Sequence, residues 1–307
     1  MALPREGNKH YFALFAGIIA VTVVFFLVAI KTYAYMESGS ASILASLVDS
    51  VSDSAISLMS LSAIRYSLKP DDEDHRYGHG KIEGFAALFQ AAFLCGAGVF
   101  VVFESLSRFG SPITVEHHML SIAVMGVSLV LTLLLVMAQR HILKHAPSLA
   151  VEADKAHYST DIAVNLGIIL VLGGLYAGLP TWIDPVCAIL IAVYMAFTAR
   201  DIAMKGADML LDKELAGTAR EDITRIVLTH QGVIDMHDLR TRRAGMRVFM
   251  AFDIEVDRAL SLIDAHEISR EVENELLALF PHADIFIHVD PQGDTDDARH
   301  RIEGVHK

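Results

Sequence analysis

Long apolar runs fill the first two thirds of the chain. A helix of about 20 apolar residues crosses the roughly 30 Å hydrocarbon core of a bilayer. Residues 11–30 carry no charge and predict a first span. That run is too long for a signal-peptide core and has no small-residue cleavage pattern, so it is read as a true span. Five more runs follow at about 41–64, 84–103, 119–138, 149–179 and 182–204. The second contains Asp49 and Asp53. The fifth is interrupted by Glu152, Asp154, Lys155, His157 and Asp161. The pattern predicts an α-helical membrane bundle of six transmembrane helices.

After Asp208 no run is long enough to span, and the periodicity changes. Residues 219–229 read as an amphipathic helix, 233–240 as a strand and 259–280 as a second helix. The run 248–256 alternates Val248, Met250, Phe252, Ile254, Val256, the period of a half-buried strand, and 283–289 reads as a third strand. The order αββαβ predicts a small α+β domain with its helices on one face of a three-stranded sheet. The expected organisation is a transmembrane domain over 1–208, a second domain over 209–292 and a polar, disordered tail over 293–307.

Charge sets the orientation. The loop 67–83 carries Lys69, Arg76 and Lys81, and the fourth loop carries Arg140 and Lys144, whereas the first and fifth connections carry neither Lys nor Arg. The positive-inside rule then puts both termini, these two loops and the C-terminal domain of a multi-pass chain in the cytoplasm. Lys31 and Arg108 run against the trend and are expected to snorkel to the interface. A hydrophobic fraction of 53% with only 20% charged residues excludes general disorder. The net charge of −12 argues against a nucleic-acid partner, and two cysteines in apolar runs argue against a disulfide-stapled secreted fold.

The candidate chemistry lies in the interrupted spans. Asp49 and Asp53 are four apart, so a helix puts both on one face, about 5–6 Å apart at Cβ. Each carboxylate costs at least about 2.5–3.5 kcal/mol at a helix centre in a bilayer, and their repulsion adds to that. A bound cation removes both costs. His157 and Asp161 repeat the spacing, and the four together match a four-coordinate Zn²⁺-type site without the thiolates that Cu(I) prefers. Two plainer readings compete: polar bonding between helices, and a proton relay without metal. Asp72, His75 and His79, in an acidic loop with Gly78 and Gly80, could also supply three ligands. The chain has no phosphate-binding loop and no HExxH, which argues against an ATP-driven pump and an intramembrane metal hydrolase. No organic cofactor is expected. A secondary transporter leads over a channel, because conduction needs weak binding and fast release.

Several spaced motifs resemble those of the cation diffusion facilitators. They are Ser42-Ile43-Leu44-Ala45 before Asp49-x3-Asp53, His75-Arg76-Tyr77-Gly78-His79-Gly80-Lys81-Ile82-Glu83, His157-x3-Asp161, His237-Asp238-Leu239-Arg240-Thr241 and His288-Val289-Asp290-Pro291. The resemblance covers about residues 10–292. It implies a homodimer in the lipid bilayer that exports divalent metal, Zn²⁺ and Cd²⁺ with Fe²⁺ also in range, against protons. It implies a transport site at Asp49, Asp53, His157 and Asp161, and a second-loop site at Asp72, His75 and His79. It also implies an ion pair between subunits, mapped onto Lys81 and Asp212. A regulatory cytoplasmic site maps onto His237, His266, His288 and Asp290. There the chain departs from the pattern at Asp253, which replaces a bridging His and shifts preference toward oxygen-loving ions.

Overall fold

The computed structural model describes residues 6–38, 41–107, 119–180 and 182–293. The expectation for the tail falls almost wholly outside these residues. Six long helices come first: α1 (Glu6–Ser38), α2 (Ala41–Ser67), α3 (Ile82–Ser107), α4 (Met119–Leu143), α5 (Leu149–Tyr176) and α6 (Ile183–Leu210). Then follow α7 (Gly217–Thr229), β1 (Asp235–Ala244), β2 (Arg247–Val256), α8 (Leu262–Leu279) and β3 (Ala283–Pro291). The chain divides into two compact units, 1–207 and 208–307.

Five helices among the described residues are long and apolar enough to cross a membrane, over Tyr11–Glu37, Ser46–Ser67, Ile82–Phe103, Gly126–Leu143 and Pro185–Leu210. The remaining long helix, α5, carries Glu152, Asp154, Lys155 and Asp161 in its first half. It packs against α2, α3 and α4, so its polar groups meet protein. Small residues bring the helices close. Ala13 and Ala16 of α1 pack with Ile64, Ile142, Ala150 and Val151, and Ala20 and Val24 pack with Leu135 and Tyr158.

Lys31 corrects the sequence expectation. Its side chain does not snorkel outward but turns inward, 5% exposed, donating to Ser50 Oγ at 2.6 Å and to the Ser46 carbonyl at 3.1 Å. The first helix continues past its apolar run, and the inward face of α2 offers the oxygens that a buried ammonium needs.

In the second unit β1 pairs antiparallel with β2, and β2 pairs parallel with β3 through the α8 crossover. Val248, Met250, Phe252, Ile254 and Val256 all face one side and pack with Ile223 and Val227 of α7 and with Val272 and Leu276 of α8. The period of two therefore leaves Asp253 and its cross-strand neighbours on the face away from this core.

Candidate metal centre

Three groups of histidines and carboxylates converge among the described residues, each with ligand atoms within 4.8 Å of one another. The first joins α2 to α5. His157 Nε2 lies 3.0 Å from Asp53 Oδ1 and 3.7 Å from Asp161 Oδ2. The ring is buried, between Phe93 at 6.0 Å and Tyr158 at 5.5 Å. One nitrogen and two carboxylates make a donor set suited to a borderline divalent ion. Asp49, one turn before Asp53, is not in this group, although it stays within electrostatic range of Lys31, Asp53 and His157.

Neighbouring polar residues hold this group in place. Asp154 is 1% exposed, accepts from Gln139 Nε2 at 2.6 Å and from Ser57 Oγ at 3.2 Å, and Ser57 also bonds the Tyr158 hydroxyl. Glu83, equally buried, caps α5 from α3. Its carboxylate accepts from Leu149 N and Ser148 Oγ at 2.8 Å, from Ala150 N at 3.4 Å and from Ser67 Oγ at 2.8 Å. A carboxylate there also meets the positive end of the helix dipole. From its place at the inner end of the fifth span Asp154 reads as marking the interface or water entry, and Glu83 carries no role of its own in the sequence. The missed signal was Ser148 ahead of α5, an N-cap residue type.

The second group lies in the loop between α2 and α3. His75 N donates to Asp72 Oδ1 at 2.8 Å and its Nδ1 lies 3.0 Å from the same oxygen. His79 Nε2 is buried, makes no hydrogen bond and sits 3.4 Å from Asp72 Oδ2. Ligands about 2.1 Å from a tetrahedral Zn²⁺ lie roughly 3.4 Å apart, so this separation fits a shared ion. Gly78 turns the loop with φ 75°, a conformation that costs a side chain. Lys69 Nζ donates to Asp72 Oδ2 at 2.6 Å, and this bond holds the Asp72 carboxyl well below its ordinary range.

The third group lies on the sheet. His237 of β1, Asp253 of β2 and His288 of β3 stand in one cross-strand row. His237 Nε2 is 3.8 Å from Asp253 Oδ2 and 3.6 Å from Asp290 Oδ2, and His288 Nε2 is 3.1 Å from Asp290 Oδ1. A register shift follows His237, where Asp238 has φ 53°, and such a bulge re-aims side chains. Burial pushes the Asp253 carboxyl up, and His237 and then His288 oppose that shift. The converging ligand atoms are those of His237, Asp253 and Asp290; His288 lies outside this group despite its contact with Asp290, and so does His266, which is exposed near the start of α8. Asp212 Oδ1 pairs with Arg242 Nη1 at 3.2 Å.

Two family models match the chain: the cation efflux transmembrane domain over residues 17–211 and the cation efflux protein cytoplasmic domain over residues 215–292. The cation-efflux pump FieF of Shewanella oneidensis is 40% identical over 289 residues, covering 94% of this chain and 97% of that protein. The pump of the same name from Pectobacterium atrosepticum is 39% identical over 286 residues, covering 92% of this chain and 95% of that protein. Among solved structures, the metal-bound C-terminal domain of the CzcD transporter from Thermotoga maritima is 32% identical and covers 27% of this chain and 100% of that chain, with a TM-score of 0.25. The chain thus belongs to the cation diffusion facilitator family, as a cation-efflux transporter rather than an enzyme, with transmembrane helices and a cytoplasmic dimerisation domain.

Proposed function

We propose that this transporter exports Zn²⁺, with Cd²⁺ and Fe²⁺ as further substrates, in exchange for protons. The observation that carries the reading is the meeting of Asp53 with His157 and Asp161 between two helices, with residues 104 apart in sequence bonded to each other. Oxygens and an imidazole that bind a divalent ion also bind protons, so one group can hold either load in turn. Six spans, with α5 as the polar one, would expose that group alternately to each side. Asp49 would join as the fourth ligand through a small adjustment of α2. Asp72, His75 and His79 would take metal on the cytoplasmic side. His237, Asp253, His288 and Asp290 would hold a regulatory ion, and His266 would join them only by moving. Both termini would lie in the cytoplasm of a homodimer in the inner membrane. A Lys81–Asp212 pair between subunits would compete with Arg242 for Asp212.

The test is metal flux into proteoliposomes with Zn²⁺, Cd²⁺, Fe²⁺ and Mn²⁺, with and without an imposed pH gradient. Zn²⁺ flux that follows the gradient and vanishes in Asp53→Ala supports the reading. Flux indifferent to the gradient makes the protein a uniporter or channel, and full flux in Asp53→Ala removes that residue from the site.

A further inference from the structure

The buried face of α1 includes a charge. Ala20, Val24, Leu27, Lys31 and Ala34 follow one another at steps of four and three, and each is no more than 5% exposed. That spacing is one stripe of a helix, and the other four members are small or apolar. Lys31 therefore takes a core position inside the run Tyr11–Glu37, where an ammonium is costly.

The register of α1 on α2 decides what this ammonium meets. Gly17 lies against Leu61, where a Cβ would fall 2.9 Å from Leu61 Cδ1, and Lys31 lies against Ser46 and Ser50. The two helices thus run antiparallel in close contact. Ser46 and Ser50 bracket Asp49, and Ser50 stands one turn before Asp53. The ammonium is held on the turn of α2 that carries the first of these carboxylates. Both oxygens that it bonds are uncharged. Its charge acts across space on Asp49, Asp53 and Asp161. Two of those three belong to the group that converges with His157.

A positive charge fixed beside carboxylates offsets part of their charge when no metal is present. It also repels a cation that enters, because like charges interact strongly in a low-dielectric interior. Both effects weaken the hold on a divalent ion relative to the carboxylates alone. An ammonium has no lone pair to give, so Lys31 is not itself a ligand. An exporter must release what it binds, and a like charge built in beside the site favours release.

We propose that Lys31 is a tethered counter-cation of the group between α2 and α5, which lowers that group's affinity for divalent metal and so permits turnover. This role rests on reading the group as the transport site. The plainer role is a bolt between α1 and α2, and the two differ in sign. Loss of a bolt loosens the site, whereas loss of the charge tightens it.

The test uses purified full-length protein at alkaline pH, where metal enters without competing protons. A competing fluorescent chelator reports the affinity of the Zn²⁺ equivalent that Asp53→Ala removes. Lys31→Gln drops the charge and keeps hydrogen-bonding groups opposite the serines, and Lys31→Met drops both. In the second variant Ser50 Oγ can turn back to the Ser46 carbonyl, as Ser54 Oγ does to the Ser50 carbonyl at 2.8 Å. Each variant is expected to bind that Zn²⁺ at least about tenfold tighter, with a lower maximal flux in proteoliposomes. An unchanged or weaker affinity in Lys31→Gln overturns the proposal and leaves Lys31 as a bolt. If Asp53→Ala removes no Zn²⁺ equivalent, the group is not a metal site, and the role of Lys31 falls with the reading that it rests on.

Discussion

His157 supplies the one nitrogen of the group between α2 and α5, and under the proposed function ligand hardness would make it the residue that sets ion choice. Exchanging imidazole for carboxylate leaves an all-oxygen set. His157→Asp should therefore move the ranking in competition flux from Zn²⁺ and Cd²⁺ toward Mn²⁺ and Fe²⁺. An unchanged ranking would show that His157 is not a ligand. Asp253 tests the sheet group by a different route. Burial raises its carboxyl, so the folded protein holds that proton more tightly than the unfolded chain does. The sign follows from linkage: stability falls as pH rises from the ordinary carboxylate value through the raised one. At pH 7 the metal-free protein carries this cost, and a bound cation offsets it. Asp253→Asn should then melt no lower than the parent in chelator. It should also lose most of the metal-induced stabilisation, which for one site at a hundredfold excess over Kd is about 2.7 kcal/mol. Paired melts with chelator and with Zn²⁺ in transport-defective Asp53→Ala protein check both halves. A variant that keeps the full Zn²⁺ shift removes Asp253 from the site.

At the scale of the element, α5 is the helix whose position matters most, because it carries His157 and Asp161 and starts at the Glu83 carboxylate. Glu83→Ala leaves the Leu149 and Ala150 N–H groups and the Ser148 hydroxyl short of an acceptor, at about 1–3 kcal/mol for each group left unsatisfied, whereas the Ser67 hydroxyl keeps the Ile64 carbonyl. The expected result is a clearly lower melting midpoint and loss of flux, with Glu83→Gln between the variant and the parent. Wild-type flux in Glu83→Ala would mean that α5 holds its place without the cap. The order and type of every element were legible in the apolar runs and in the change of period after Asp208. The meeting of Asp53 with His157 and Asp161 was legible in part, because four-residue spacing fixes a shared face, but Asp49 shares that spacing and stands outside the group. What a run of residues does not carry is which partner each face meets. Asp154 reads as interfacial from its place near the end of the span, yet Gln139 and Ser57 make it a buried anchor. Lys31 reads as a snorkelling cation, yet Ser50 and the Ser46 carbonyl draw it inward.

For the whole molecule, the question is how metal in the cytoplasmic unit could act on the membrane unit. Residues 209–307 hold about 20 acidic and 12 basic groups, an excess that attracts divalent ions and repels a second copy of itself. Carboxylates are concentrated where a cation would bind, at Asp253 and Asp290 on the sheet. Bound metal cancels part of that repulsion, so paired domains should close when loaded and separate when stripped. The coupling is a difference in affinity between the two arrangements and cannot exceed it. In full-length protein labelled at one exposed position of the cytoplasmic domain, chelation should lengthen the label-to-label distance and Zn²⁺ should restore it. Asp253→Asn should leave the labels apart at Zn²⁺ concentrations that close the parent. High salt screens exposed charges and should shrink the difference. Equal distances with and without metal would separate metal binding in this domain from dimer geometry, and would leave the ion there without influence on the transport helices.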